Sequence, residues 1–290
     1  MFNWERKVKI ALLSIVSNTA LIILKVVAGI LSGSVSIISE AIHSGMDLVA
    51  SLVAFLSVRH SGRPADKNHP FGHGKIENVS GIVEGLLIFV AAGMIINEAV
   101  KKIYEPAEIE EASIAIAVML LAALINFLVS RKLYKTAKEE DSMALEADAL
   151  HLKTDVYTSL GVGIGIVLIR LTGILILDSI VAMIVAMLII KEAWELSKNA
   201  LDYLLDTRLS DEEEAEIEKV IKEYSHKFRD YHKLKTRKSG NMKHIDFHIT
   251  VDPDLTVKET HTIIGSIKKD MSEKFNYTRV NIHMDPYIKK

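Results

Sequence analysis

The sequence predicts an α-helical membrane bundle of six transmembrane helices followed by a C-terminal α+β domain of order helix, strand, strand, helix, strand. Three observations lead there. The chain has 290 residues, 49% of them hydrophobic, and its mean hydropathy is positive. The apolar residues are concentrated before residue 197, in runs close to the roughly 20 residues that cross a bilayer. After residue 210 the composition turns charged and mixed, and 242–251 alternates apolar with polar residues as a strand does.

The six runs cover 8–31, 35–58, 76–100, 112–129, 144–171 and 174–196. The fifth is interrupted at its start by Glu146, Asp148, His151 and Asp155, but the apolar stretch through Gly161, Gly163 and Gly165 carries it on. Gly161 and Gly165 have the small-residue spacing that lets membrane helices approach closely. Basic residues cluster before the first run (Arg6, Lys7, Lys9), between the second and third (Arg59, Arg63, Lys67, Lys75), and between the fourth and fifth (Arg131, Lys132, Lys135, Lys138). The opposite side has a bare turn at 32–34, an acidic stretch at 105–111 and a short turn near residue 170, with Lys101 and Lys102 weakly opposing the pattern. This bias predicts cytoplasmic N- and C-termini. The domain boundaries expected are a membrane domain over 1–200, a linker over 201–209 and a cytoplasmic domain over 210–290.

In the tail, Ser210 followed by three acids reads as a helix start, with the helix expected to reach about residue 228. Strands are expected at 231–238, 242–251 and 279–284, with a turn at 239–241 and a second helix over 257–275. Ile245, Phe247, Ile249 and Val251 would form the buried face. The helices would cover one face of a three-stranded sheet.

The formal net charge of −2 gives no case for nucleic acid as a partner. Cysteine is absent, so any metal must bind through nitrogen and oxygen. His43 and Asp47 lie four residues apart in one apolar run, and His151 and Asp155 repeat that spacing in another. On a helix each pair shares a face. An ionisable group at bilayer depth costs about 3 kcal/mol on insertion scales, so it is retained for a purpose. A buried His or Asp can also serve as a structural partner, for example with Lys25 or Lys153, but two matching pairs are harder to assign that way. Two imidazoles and two carboxylates make a complete tetrahedral ligand set for Zn²⁺ or a similar ion. Glu84 is expected to pack inside the bundle, Glu40 precedes His43 by a turn, and Asp178 is expected near a membrane surface.

Two further groups have metal-ligand character. Asp66, His69 and His73 sit in the glycine-containing loop PADKNHPFGHGK at 64–75. In the tail, period-two geometry puts His283 and Asp285 on one strand face and His248 on the polar face of another. Solvated surface histidines are the plainer reading of the loop group and an equal alternative for the tail group.

Taken together, the His43/Asp47 and His151/Asp155 pairs, the 64–75 loop and Leu204-Leu205-Asp206 resemble the cation diffusion facilitator family, close to its bacterial YiiP type, across essentially the whole chain. The resemblance implies a homodimer in the cell membrane that exports a divalent metal from the cytoplasm in exchange for protons, and no enzyme activity. It implies that His43, Asp47, His151 and Asp155 form the transport site, and Asp66, His69 and His73 a loop site. His232, His248, His261, His283 and Asp285 would form a cytoplasmic binuclear site, and Lys75 and Asp206 a charge interlock near the dimer interface. The YiiP type carries Asp at the position of His43. The arrangement here looks more like the family's zinc-preferring transporters, which makes Zn²⁺ the expected substrate and regulatory ligand. Exporters of Mn²⁺, Fe²⁺, Co²⁺, Ni²⁺ or Cd²⁺ are the alternatives, with a membrane metal sensor a third reading. An intramembrane zinc enzyme would need an open coordination position, and His-Glu-x-x-His is absent.

Overall fold

The computed structural model describes residues 4–32, 35–104 and 113–288. Residues 33–34 of the expected turn, the acidic stretch at 105–111 and the Glu40 side chain lie outside the described residues. The chain divides into two compact units, Met1–Leu201 and Asp202–Lys290.

The described residues before 205 form six long helices: α1 (Trp4–Ser32), α2 (Val35–Ser61), α3 (Ile76–Tyr104), α4 (Ser113–Glu140), α5 (Met143–Thr172) and α6 (Ile176–Leu204). Among the described residues, five stretches are long and apolar enough to cross a membrane: Glu5–Leu31, Ala41–Ser61, Ile76–Tyr104, Ala117–Glu140 and Met143–Ile169. The helix over the sixth expected run, α6, is as long as α1 and α3 at 29 residues. It differs in composition, because Lys191, Glu192 and Glu195 interrupt its apolar sequence. It also continues into the stretch expected to be linker.

Helices α1, α2, α4 and α5 enclose one apolar cluster that includes Ala11, Val58, Leu133, Leu145 and Leu152. Ile88 and Ala92 of α3 and Ile189 and Ala193 of α6 form a second. Small residues bring α6 close to its neighbours. A Cβ at Gly161 would lie 2.9 Å from Val185 Cγ2, and one at Gly85 would overlap Ser197 Oγ. The outward side chains are apolar, with Ile30, Ile42, Val90, Leu171 and Met187 exposed. That surface suits hydrocarbon, where backbone groups must be satisfied within each helix. Helix α5 stops where Gly173 adopts φ 73° and donates its N–H to Ile169 O, a conformation glycine takes without a Cβ penalty.

The second unit runs α7 (Asp211–Glu223), β1 (Asp230–Ser239), β2 (Met242–Val251), α8 (Val257–Lys274) and β3 (Thr278–Pro286). Both helices open with a capping box, Ser210 with Glu213 and Thr256 with Glu259. Helix α7 ends earlier than expected. A short 3₁₀ turn at Ser225–Lys227 follows, and Phe228 turns extended and enters the core. The sheet order is β1-β2-β3, with β1/β2 antiparallel and β2/β3 parallel. Ile245, Phe247, Ile249 and Val251 face the core, against Ile217, Val220 and Ile221 of α7 and Ile267 and Met271 of α8. The opposite sheet face carries His244, Asp246, His248 and Thr250 of β2 and the residues paired with them on β1 and β3.

Candidate functional site

Helices α2 and α5 pack together and bring the two His-x₃-Asp pairs into one site. Ligand atoms of His43, Asp47 and Asp155 all lie within 4.8 Å of one another. His151 joins through Asp47, its Nε2 3.2 Å from Asp47 Oδ1. Asp47 and His151 are buried, Asp155 is half-buried and His43 is exposed. Asn126 of α4 donates to Asp155 Oδ2 at 3.2 Å, which holds that carboxylate from behind. Of the two lysines offered as ordinary partners, Lys25 donates to Ser44 Oγ at 2.7 Å and Lys153 to Glu192 at 2.9 Å. Asp178 pairs with Lys102 at 3.1 Å.

The loop group is organised by Asp66. Its Oδ1 accepts the backbone N–H groups of Asn68 (2.9 Å) and His69 (2.7 Å). His69 Nδ1 and His73 Nε2 each approach Asp66 at 3.3 Å, and their rings are 4.4 Å apart. Gly72 at φ 87° turns the chain between the two histidines. The His69 N–H, then Asn68, hold the Asp66 carboxyl below its ordinary range. The loop thus presents a charged carboxylate between two imidazoles.

In the tail, register builds the third group. His232 of β1 pairs with His248 of β2, which pairs with His283 of β3, so three imidazoles cross the open sheet face in a row. Asp285 meets all three: His248 Nδ1 at 2.9 Å, His232 Nε2 at 3.2 Å and His283 Nε2 at 3.4 Å. The His248 hydrogen bond is the main reason the Asp285 carboxyl sits below its ordinary range. His261 does not join this group within one chain. It is exposed on α8, and α8 covers the core face of the sheet while the three imidazoles occupy the other.

His232 reaches the open face only because β1 carries a bulge. Between His232↔His248 and Lys235↔Asp246 the strand β1 advances three residues against two on β2. Lys233 takes φ 55° within it. Strict alternation from Lys235 would have turned His232 toward the core. A left-handed conformation costs a non-glycine residue about 1–2 kcal/mol, part of which is offset by the greater unfolded-state freedom of glycine. Lys233→Gly is therefore expected to stabilise residues 202–290 by about 0.5 kcal/mol. Urea unfolding followed by circular dichroism would show it, and a destabilised variant would contradict the bulge.

Lys75 and Asp206 belong to different units. The Lys75 carbonyl accepts from the N–H groups of Asn78 and Val79 at the start of α3, and Asp206 accepts from Arg237 Nη1 at 3.4 Å.

Two buried networks were not legible in the sequence. Glu77 bridges α1, α2, α3 and α5 by bonding Lys7 (3.0 Å), Ser61 (2.7 Å) and Ser142 (2.5 Å). Asp148 accepts from Ser14 (3.1 Å) and Ser51 (2.9 Å). An acid in a helix's first turn, or one interrupting an apolar run, was the available signal; the partners come from distant helices.

The model of the cation efflux transmembrane domain matches residues 11–205, and that of the cation efflux protein cytoplasmic domain matches 209–287. An uncharacterized transporter of Synechocystis sp. is 34% identical over 276 residues, covering 95% of this chain and 89% of its own length. The cation-efflux pump FieF of Pectobacterium atrosepticum is 32% identical over 286 residues (96% and 93%). The manganese efflux system protein MneP of Bacillus subtilis is 30% identical over 293 residues (97% of each).

Proposed function

The chain belongs to the cation diffusion facilitator family and is a multi-pass membrane transporter of metal cations, and we propose that it exports Zn²⁺ from the cytoplasm in exchange for protons, as a homodimer in the cell membrane with both termini cytoplasmic. The observation that carries the zinc reading is the ligand set of His43, Asp47, His151 and Asp155, drawn together by α2 and α5. Two imidazoles and two carboxylates suit a borderline ion, whereas Mg²⁺ and Ca²⁺ prefer oxygen alone.

Proton coupling follows from ligand chemistry. The metal binds neutral imidazole and ionised carboxylate, so protons compete for the same atoms. Imidazole, with a reference pKa of about 6.5, exchanges protons near physiological pH. In this proposal the site loads metal facing inward, releases it facing outward and returns protonated. Asp66, His69 and His73 bind a second ion. His232, His248, His283 and Asp285 bind regulatory metal, with His261 assigned to the same tail assembly, and Lys75 and Asp206 form an interlock near the dimer interface.

Manganese export is the second reading, favoured by the 30% identity to MneP. Proteoliposome uptake of Zn²⁺, Mn²⁺, Fe²⁺, Co²⁺, Ni²⁺ and Cd²⁺, with and without an imposed pH gradient, separates the two. Zinc should move fastest and respond to the gradient. Faster manganese flux would reassign the substrate, and indifference to the gradient would remove proton exchange. For the tail, zinc should tighten dimerisation of residues 202–290, and His248→Ala with His283→Ala should abolish that response. Equal dimerisation of both forms with and without zinc would remove the regulatory role.

A further inference from the structure

The bundle buries two carboxylates that the His-Asp site does not use. Glu84 of α3 and Asp148 of α5 are both 0% exposed. Their helices pack together, with Gly81 of α3 set so close to Met143 of α5 that a Cβ there would lie 2.9 Å from Met143 Cγ. Among the described residues neither pairs with a lysine or arginine. Asp148 Oδ1 is fixed by the Ser14 and Ser51 hydroxyls, and Ser51 is in turn held by Asn18 Nδ2 at 2.8 Å. Glu84 Oε1 meets the Ser80 hydroxyl at 3.4 Å. The second oxygen of each acid, Asp148 Oδ2 and Glu84 Oε2, is sealed from solvent with no hydrogen-bond partner among the described residues. So is the hydroxyl of Ser197, which lies against Gly85 beside Glu84.

An uncompensated buried carboxylate costs several kcal/mol, and two within range of each other compound that cost. His151 of the His-Asp site lies three residues on, about 4.5 Å further along the helix axis. The groups around them are hydroxyl and carboxylate oxygens, the donor set of hard divalent cations.

We propose that Glu84 and Asp148, with the hydroxyls of Ser14, Ser51 and Ser80, form a second intramembrane cation site, made only of oxygen ligands and one helical turn from the His-Asp site. It takes a hard divalent cation such as Mn²⁺. Its position on the α5 N-terminal side makes it a station next to the His-Asp site, one that discriminates by oxygen coordination and not by imidazole. The site stands on these residues and does not depend on which metal the His-Asp site prefers.

The test uses full-length protein in detergent with His43, Asp47, His69 and His232 each changed to Ala, which disables the three imidazole clusters. Free Mn²⁺ is read by electron paramagnetic resonance. About one Mn²⁺ per chain should remain bound, and Asp148→Asn or Glu84→Gln should weaken it at least about tenfold. Ser51→Ala keeps both charges and should weaken it by a smaller factor, which preserves the test if an acid variant aggregates. No retained Mn²⁺, or retention equal in every variant, overturns the site; the first result would mean that protons neutralise the pair. Zinc uptake by the unaltered protein is measured separately, so failure here leaves the zinc reading standing or falling on its own data.

Discussion

Asp47→Ala is expected to reduce zinc flux in proteoliposomes by at least about 100-fold, because loss of even an outer-shell partner of a metal ligand costs about 10–100-fold. Asp47 has a double role. It belongs to the group whose ligand atoms lie within 4.8 Å of each other, and it is the residue that ties His151 to that group. Removing it leaves three ligands, one of them no longer positioned. Asp47→Asn keeps the shape and removes the charge, so it should lose nearly as much. The fold should tolerate both changes, since a smaller or neutral residue replaces a charge at membrane depth. Zinc-dependent flux and the size-exclusion profile of the purified protein are the two measurements. Variant flux equal to wild type would show that the transport site lies elsewhere in the molecule.

Glu77→Ala should destabilise the end of the bundle where α1, α3 and α5 begin by about 3–5 kcal/mol, the usual cost of stranding one partner of a buried ion pair. Glu77 and Lys7 are 2% and 6% exposed, and Lys7 Nζ lies 3.0 Å from Glu77 Oε1. Truncating the acid leaves a buried ammonium and releases two serine hydroxyls from α2 and α5. Replacing both partners together, Lys7→Met with Glu77→Leu, should restore most of the loss, because no charge is then left unpaired. Thermal unfolding in detergent reads the effect. An unchanged transition in Glu77→Ala, or a double variant no better than the single one, would show that this cluster does not hold the four helices together. The surface pairs give a useful contrast. Arg208 with Asp211, or Lys269 with Glu273, is solvent-exposed and should contribute at most about 1 kcal/mol.

Much of this molecule is written in short-range pattern. Helix periodicity placed His43 with Asp47 and His151 with Asp155. Apolar runs located the long helices, and alternation from Ile245 to Val251 identified the buried sheet face. Such features depend on residues within one or two turns, so they are visible in a linear string. The run over α6 likewise gave a long helix, with Asp178, Lys191, Glu192 and Glu195 the charges within 174–196.

What only the tertiary structure decided involves residues far apart in the chain. His151 meets Asp47 across 104 positions because α2 and α5 pack. Asp148 finds its hydroxyls on α1 and α2, and Glu77 its partners on α1, α2 and α5. A bulge at Lys233 decides that His232 joins His248 and His283, and α8's place on the opposite face decides that His261 does not. The sequence by itself determined which side chains can carry metal chemistry and which helix face holds each pair. Helix packing and strand register determined which of them meet, since those contacts depend on the whole buried surface and not on any local repeat.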